Sequence, residues 1–219
     1  MRIKRIIMLI IMAVIISTVY VNAEEQEEEN KGIVLIDPGH GGIDGGAKSK
    51  NGTIEKEINL AISRKLKVSL EGEGYKVFLT REDDNALFAK KKDDLEARCK
   101  MKAETKCDIF ISIHQNKFGK ESCQGAQVWY ASNDKSNKFA KLLQQSLREQ
   151  VDDGNNRLSK AAKDRYKVLR DGYDGACVIV ECGFLSNYNE EQRLKTDEHQ
   201  DKIVEGIKVG INEYFKNEE

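Results

Sequence analysis

One proline and three histidines are the scarcest informative residues of this 219-residue chain, and no two of its cysteines form a Cys-x-x-Cys pair. Without such pairs, zinc-ribbon and thioredoxin-type chemistry are excluded. The five cysteines, Cys99, Cys107, Cys123, Cys177 and Cys182, are odd in number, so a fully paired disulfide scaffold is excluded too. They are expected as small buried thiols in a setting that is not strongly oxidising. Neither sign of charge dominates. The net formal charge is −1, and residues 31–219 carry 33 basic and 32 acidic side chains, which offers no basic face for nucleic acid. No internal repeat or low-complexity tract is present.

Long apolar runs are nearly absent as well, with one exception. Residues 6–20 are almost wholly apolar, follow Arg2, Lys4 and Arg5, and precede the small residues Val21-Asn22-Ala23. Residues 1–23 therefore read as an export signal or, if uncleaved, as an N-terminal membrane anchor with the remainder outside the cytoplasm. Residues 24–31 form an acidic linker. Residues 32–219 suit one domain with a single core.

Within that domain, apolar runs alternate with amphipathic stretches. Strands are expected at 33–37, 75–80, 108–113, 126–131 and 177–180, with a short one at Val168-Leu169. Helices are expected at 55–73, with Thr53 as N-cap, and at 87–105, 133–150 and 198–215. Several strands are continuously apolar and so are buried on both faces. The fold class is α/β: a largely parallel, twisted sheet flanked by helices on both faces. The long polar stretch 152–165 is expected to border a site.

Three core strands end in residues suited to metal chemistry. Val34-Leu35-Ile36 leads into Asp37-Pro38-Gly39-His40-Gly41-Gly42, Ile109–Ile113 leads to His114, and Val178-Ile179-Val180 leads to Glu181. Ligands of open α/β sheets bind beyond the carboxyl ends of the strands, so these termini are expected to converge. Glu55, across the loop from His40, is a natural fourth member, with Glu57 as its competitor. Two histidines and a carboxylate are a common catalytic zinc set that leaves a position for water; a separate carboxylate then takes the water proton. His199, in the charged run Asp197-Glu198-His199, reads as solvated. Asp37 either orients a neighbouring group or ends its strand.

Six blocks, taken in order, resemble the zinc-dependent N-acetylmuramoyl-L-alanine amidases of the amidase-3 family: Val34–Gly42, Gly52-Thr53-Ile54-Glu55-Lys56, Leu79-Thr80-Arg81, Ser112-Ile113-His114-Gln115-Asn116, Gly125-Ala126-Gln127-Val128 and Val180–Asn187. The resemblance spans about residues 32–217 and implies His40, Glu55 and His114 as zinc ligands and Glu181 as the catalytic carboxylate. It implies hydrolysis of the amide between the lactyl group of muramic acid and L-alanine in peptidoglycan. A small exported domain with no wall-binding repeat is similar to the family's sporulation amidases, which strip peptides from spore-cortex glycan so that muramic-δ-lactam can form. Such a domain is expected to depend on an accessory protein or lipoprotein, and to meet a membrane only through its N-terminal segment. The alternatives are vegetative wall turnover or cell separation, and a weakly active module that binds peptidoglycan or a partner. Gln115 stands where the family more usually has a small residue, which implies an altered pocket wall.

Overall fold

The computed structural model describes residues 31–217. The expected export signal or anchor, and the linker up to residue 30, lie outside the described residues. Among the described residues, no helix is long and apolar enough to cross a membrane.

Six strands, β1 (Ile33–Pro38), β2 (Lys76–Leu79), β3 (Ile109–Asn116), β4 (Gln127–Tyr130), β5 (Lys160–Ala161) and β6 (Ala176–Phe184), form one sheet in the order β2-β1-β3-β6-β4-β5. The pairs β1–β2, β1–β3, β3–β6 and β4–β5 are parallel; only β4–β6 is antiparallel. The three strands expected to carry the site are consecutive neighbours, and β3 lies between the other two. Five helices complete the domain: α1 (Glu55–Glu71), α2 (Lys91–Thr105), α3 (Asp134–Val151), α4 (Tyr188–Leu194) and α5 (Asp197–Lys216).

Alternate strand residues divide the core between two faces, as the pleat requires. Val34, Ile36, Ile109, Ile111, Val178 and Val180 pack against Ile62 and Leu66 of α1, Phe139 and Leu143 of α3, and Ile207 and Ile211 of α5. Leu35, Phe110, Cys177 and Ile179 pack on the other side with Val168 and Leu169, under α2. The continuous apolar runs are therefore covered on both faces.

Three local expectations change. Val168-Leu169 belongs to a single 3₁₀ turn, Lys167–Leu169, rather than a strand. A second, two-residue strand, β5, lies inside the long polar stretch and makes an edge beside β4. Thr53 does not cap α1: Ile54 occupies that position without a side-chain cap, and the Thr53 hydroxyl donates to Glu191 at 2.6 Å. Ser49 and Asn51 donate to the same carboxylate at 2.7 and 2.6 Å. The loop that delivers Glu55 is thus pinned by an acid from the first turn of α4. All five cysteines are free thiols; Cys107, Cys177 and Cys182 are buried, whereas Cys99 and Cys123 are partly exposed.

Candidate metal centre and catalytic carboxylate

Leaving β1, the chain must turn sharply to present His40. Pro38 ends the strand opposite Ile113 of β3. His40 itself adopts a left-handed conformation, φ 64°, which is uncommon outside glycine. Two buried arginines hold that backbone in place. Arg81 donates to the Pro38 carbonyl at 2.9 Å and to the Gly39 carbonyl at 3.1 Å. Arg98 donates to the Pro38 carbonyl at 3.0 Å and the His40 carbonyl at 2.8 Å. Asp37 anchors this clasp, accepting from Arg98, Thr80 and Ser112, each at 2.6 Å. Asp37 therefore orients its neighbours, and the strand runs on past it to Pro38. Burial opposes its charge, but Arg98 and the two hydroxyls outweigh burial and lower its pKa to about 2.

The imidazoles of His40 and His114 meet edge to face, centroids 4.9 Å apart. Glu55, at the start of α1, lies between them. Its Oε2 is 3.3 Å from His40 Nε2, and its Oε1 is 2.8 Å from His114 Nδ1. Backbone amides of Ala47 and Gln115 donate to the same carboxylate at 2.7 and 3.0 Å. Burial would raise its pKa, but the contacts with His114 and His40 hold it well below the usual carboxylate range. One donor atom from each of His40, Glu55 and His114 lies within 4.8 Å of the others. Glu57 is not a member of this group.

Glu181 lines the same cavity, of about 480 Å³. It sits on β6 directly opposite His114 of β3. Its Oε2 is buried without a hydrogen-bond partner, and burial above all pushes its pKa up to about 7. Two imidazoles and a carboxylate on one side, and an unpartnered buried carboxylate oxygen on the other, are the donor set and base that a catalytic zinc requires. The residues present fit that ion.

Asp44 was not singled out by the sequence. It holds His40 Nδ1 at 3.0 Å, which leaves Nε2 facing Glu55. Such an outer carboxylate fixes the tautomer and orientation of a ligating imidazole. The signal was an acid four residues after a histidine, in a glycine-rich loop. Arg98 left no signal at all. Gln115 is buried behind Glu55, its side-chain amide bonded to Asn59 at 3.2 Å. His199 stands apart from the cluster on α5 and is half-buried rather than solvated. Burial, then Arg193 and Lys202, lower its pKa to about 4.

A family model described as N-acetylmuramoyl-L-alanine amidase (Amidase_3) matches residues 34–213. The chain belongs to this amidase family. It is 33% identical over 192 residues to the germination-specific N-acetylmuramoyl-L-alanine amidase of Bacillus subtilis, covering 84% of this chain and 79% of that one. The probable cell wall amidase LytH of Staphylococcus aureus is 30% identical over 199 residues, with 89% of this chain and 62% of LytH covered. Among solved structures, the CwlD amidase from Clostridioides difficile, in complex with the GerS lipoprotein, superposes with a TM-score of 0.80 at 36% identity; 85% of this chain and 99% of that one are covered.

Close packing around His114 leaves no room for a side chain at Gly39. A Cβ on Gly39 would stand 2.3 Å from His114 Cε1 and Nε2. Gly39→Ala is expected to displace that imidazole and weaken zinc binding by at least about ten-fold, read as zinc retained after dialysis against a graded chelator. Undiminished retention would mean that His114 is not a ligand.

Proposed function

We propose that this amidase is a zinc enzyme that hydrolyses the amide between the lactyl group of muramic acid and L-alanine in peptidoglycan, outside the cytoplasm and in the spore cortex. The observation that carries this reading is the convergence of His40, Glu55 and His114 beside the unpartnered carboxylate of Glu181. His40, Glu55 and His114 would hold the ion. Bound there, zinc supplies Lewis acidity to water and to the amide carbonyl. Glu181 takes the proton of the attacking water and returns it to the leaving nitrogen. The C–N bond breaks, giving a lactyl carboxylate and the free amine of L-alanine. A pKa near 7 suits a group that both accepts and returns a proton at neutral pH.

The cortex assignment rests on similarity to the germination-specific amidase. An accessory lipoprotein is proposed as partner because the C. difficile relative was solved with one. The test uses the full-length chain on purified peptidoglycan. New alanine amino termini are expected, lost on chelation and restored by zinc. Release that persists without metal would overturn the zinc assignment. Unchanged muramic-δ-lactam in spores of a deletion strain would move the enzyme to vegetative wall turnover.

A further inference from the structure

The cavity that holds the candidate centre extends beyond it, along the face of the sheet that also carries Ile179. On β6, Glu181 and Ile179 share a face. Trp129 of β4 lies directly across from Ile179. The Tyr166 ring packs edge to face on Trp129, at 5.8 Å, and the Arg165 guanidinium covers the same indole at 5.0 Å. Ile179, Tyr166, Arg165 and Lys167 all line the cavity. A continuous wall therefore leads from the catalytic carboxylate, over an apolar step, to two cations.

Those cations differ from the others around the cavity. Lys91 is paired with Asp44 at 3.1 Å, Lys117 donates to the Lys48 carbonyl at 2.8 Å, and Arg98 is consumed by the clasp on β1. Arg165 is exposed, and among the described residues its guanidinium makes no ion pair and lies over the indole face. A guanidinium held over an aromatic face keeps N–H donors available, and such donors can receive a carboxylate through two parallel hydrogen bonds. The step from Glu181 to Ile179 spans about 6.6 Å along the strand, which is about two residues of an extended peptide.

We propose that Arg165, with Lys167 beside it, binds a carboxylate of the stem peptide, carried by the residue that follows the alanine at the scissile bond. In stem peptides that residue is a glutamate linked through its side chain, so its α-carboxyl is free unless amidated. The inference rests on the muramoyl-peptide reading of the site and makes the enzyme a reader of glutamate amidation. Arg165 and Lys167 act on substrate affinity, not on the bond-breaking step.

Two synthetic muramoyl peptides, identical except for a free α-carboxylate or an α-carboxamide on that glutamate, are given to the full-length wild type and to Arg165→Ala. The wild type is expected to show a KM about ten-fold lower for the carboxylate substrate, with kcat nearly the same. Arg165→Ala is expected to lose this discrimination by raising KM for the carboxylate substrate alone. Equal KM values in the wild type, or a variant that retains the preference, would overturn the proposal. Calorimetric binding of the two peptides to the same proteins decides the contact separately. If neither peptide is cleaved but the carboxylate form binds more tightly through Arg165, the contact stands and the hydrolytic reading fails.

Discussion

Replacing Glu181 with glutamine is expected to slow amide hydrolysis by roughly 10²–10⁴-fold, the usual contribution of a positioned acid–base group, while the protein keeps its zinc. Glutamine preserves the size of the side chain and removes the ability to take and return a proton. The position tolerates neutrality well, because burial already pushes the carboxyl to about 7 and its Oε2 has no partner to lose. Folding and metal binding should therefore be undisturbed. The measurement pairs zinc content with release of alanine amino termini by the wild type and the variant. Loss of metal together with activity would make Glu181 a ligand rather than the base.

Arg98→Met is expected to be the most costly single change to stability, about 3–5 kcal/mol, out of the 5–15 kcal/mol typical of a whole domain. The substitution leaves Asp37, only 2% exposed, as a buried charge without its cation, and removes the donor to the His40 carbonyl; the Pro38 carbonyl keeps Arg81. The same pair predicts the acid behaviour of the wild type. Asp37 has a pKa lowered from 3.8 to about 2. A group depressed in the folded state stabilises above its unfolded pKa. That contribution, of the order of 2 kcal/mol, is whole above about pH 4 and fades as pH falls towards 2. Urea midpoints at pH 7 and pH 3 should therefore differ more in the wild type than in Arg98→Met. Equal pH sensitivity of the two proteins would show that the ion pair is not its source.

The site strands were legible in the sequence because their apolar runs are unbroken and each ends in a residue with distinctive chemistry. His40 follows β1, and His114 and Glu181 are paired within the last few residues of β3 and β6, so a parallel arrangement brings all three to one edge. Helix α2 shows where this reasoning stops. Its inward stripe is Asp94, Arg98 and Lys102, four residues apart, all buried. Hydrophobic periodicity marks a buried face only when that face is apolar. Here the face is charged, and its partners Asp37 and Asp171 lie far away in sequence. Lys102 is fully buried and sits 4.7 Å over the Phe110 ring. Thr53 misled for a related reason: a hydroxyl beside a helix start has a local use, but Glu191, 138 residues away, claims it. Helix α4, of seven residues, offered too short a period to recognise.

The strand order separates two tasks that the sequence interleaves. The proposed ligands and base come from the end of β1, from β3 and β6, all interior strands of the sheet, and from the start of α1. The cationic wall comes from the segment after β5, a two-residue strand at the sheet's free edge. Changes at exposed Arg165 and at Lys167 beside it can therefore alter this wall of the cavity while the interior strands that carry His114 and Glu181 keep their packing.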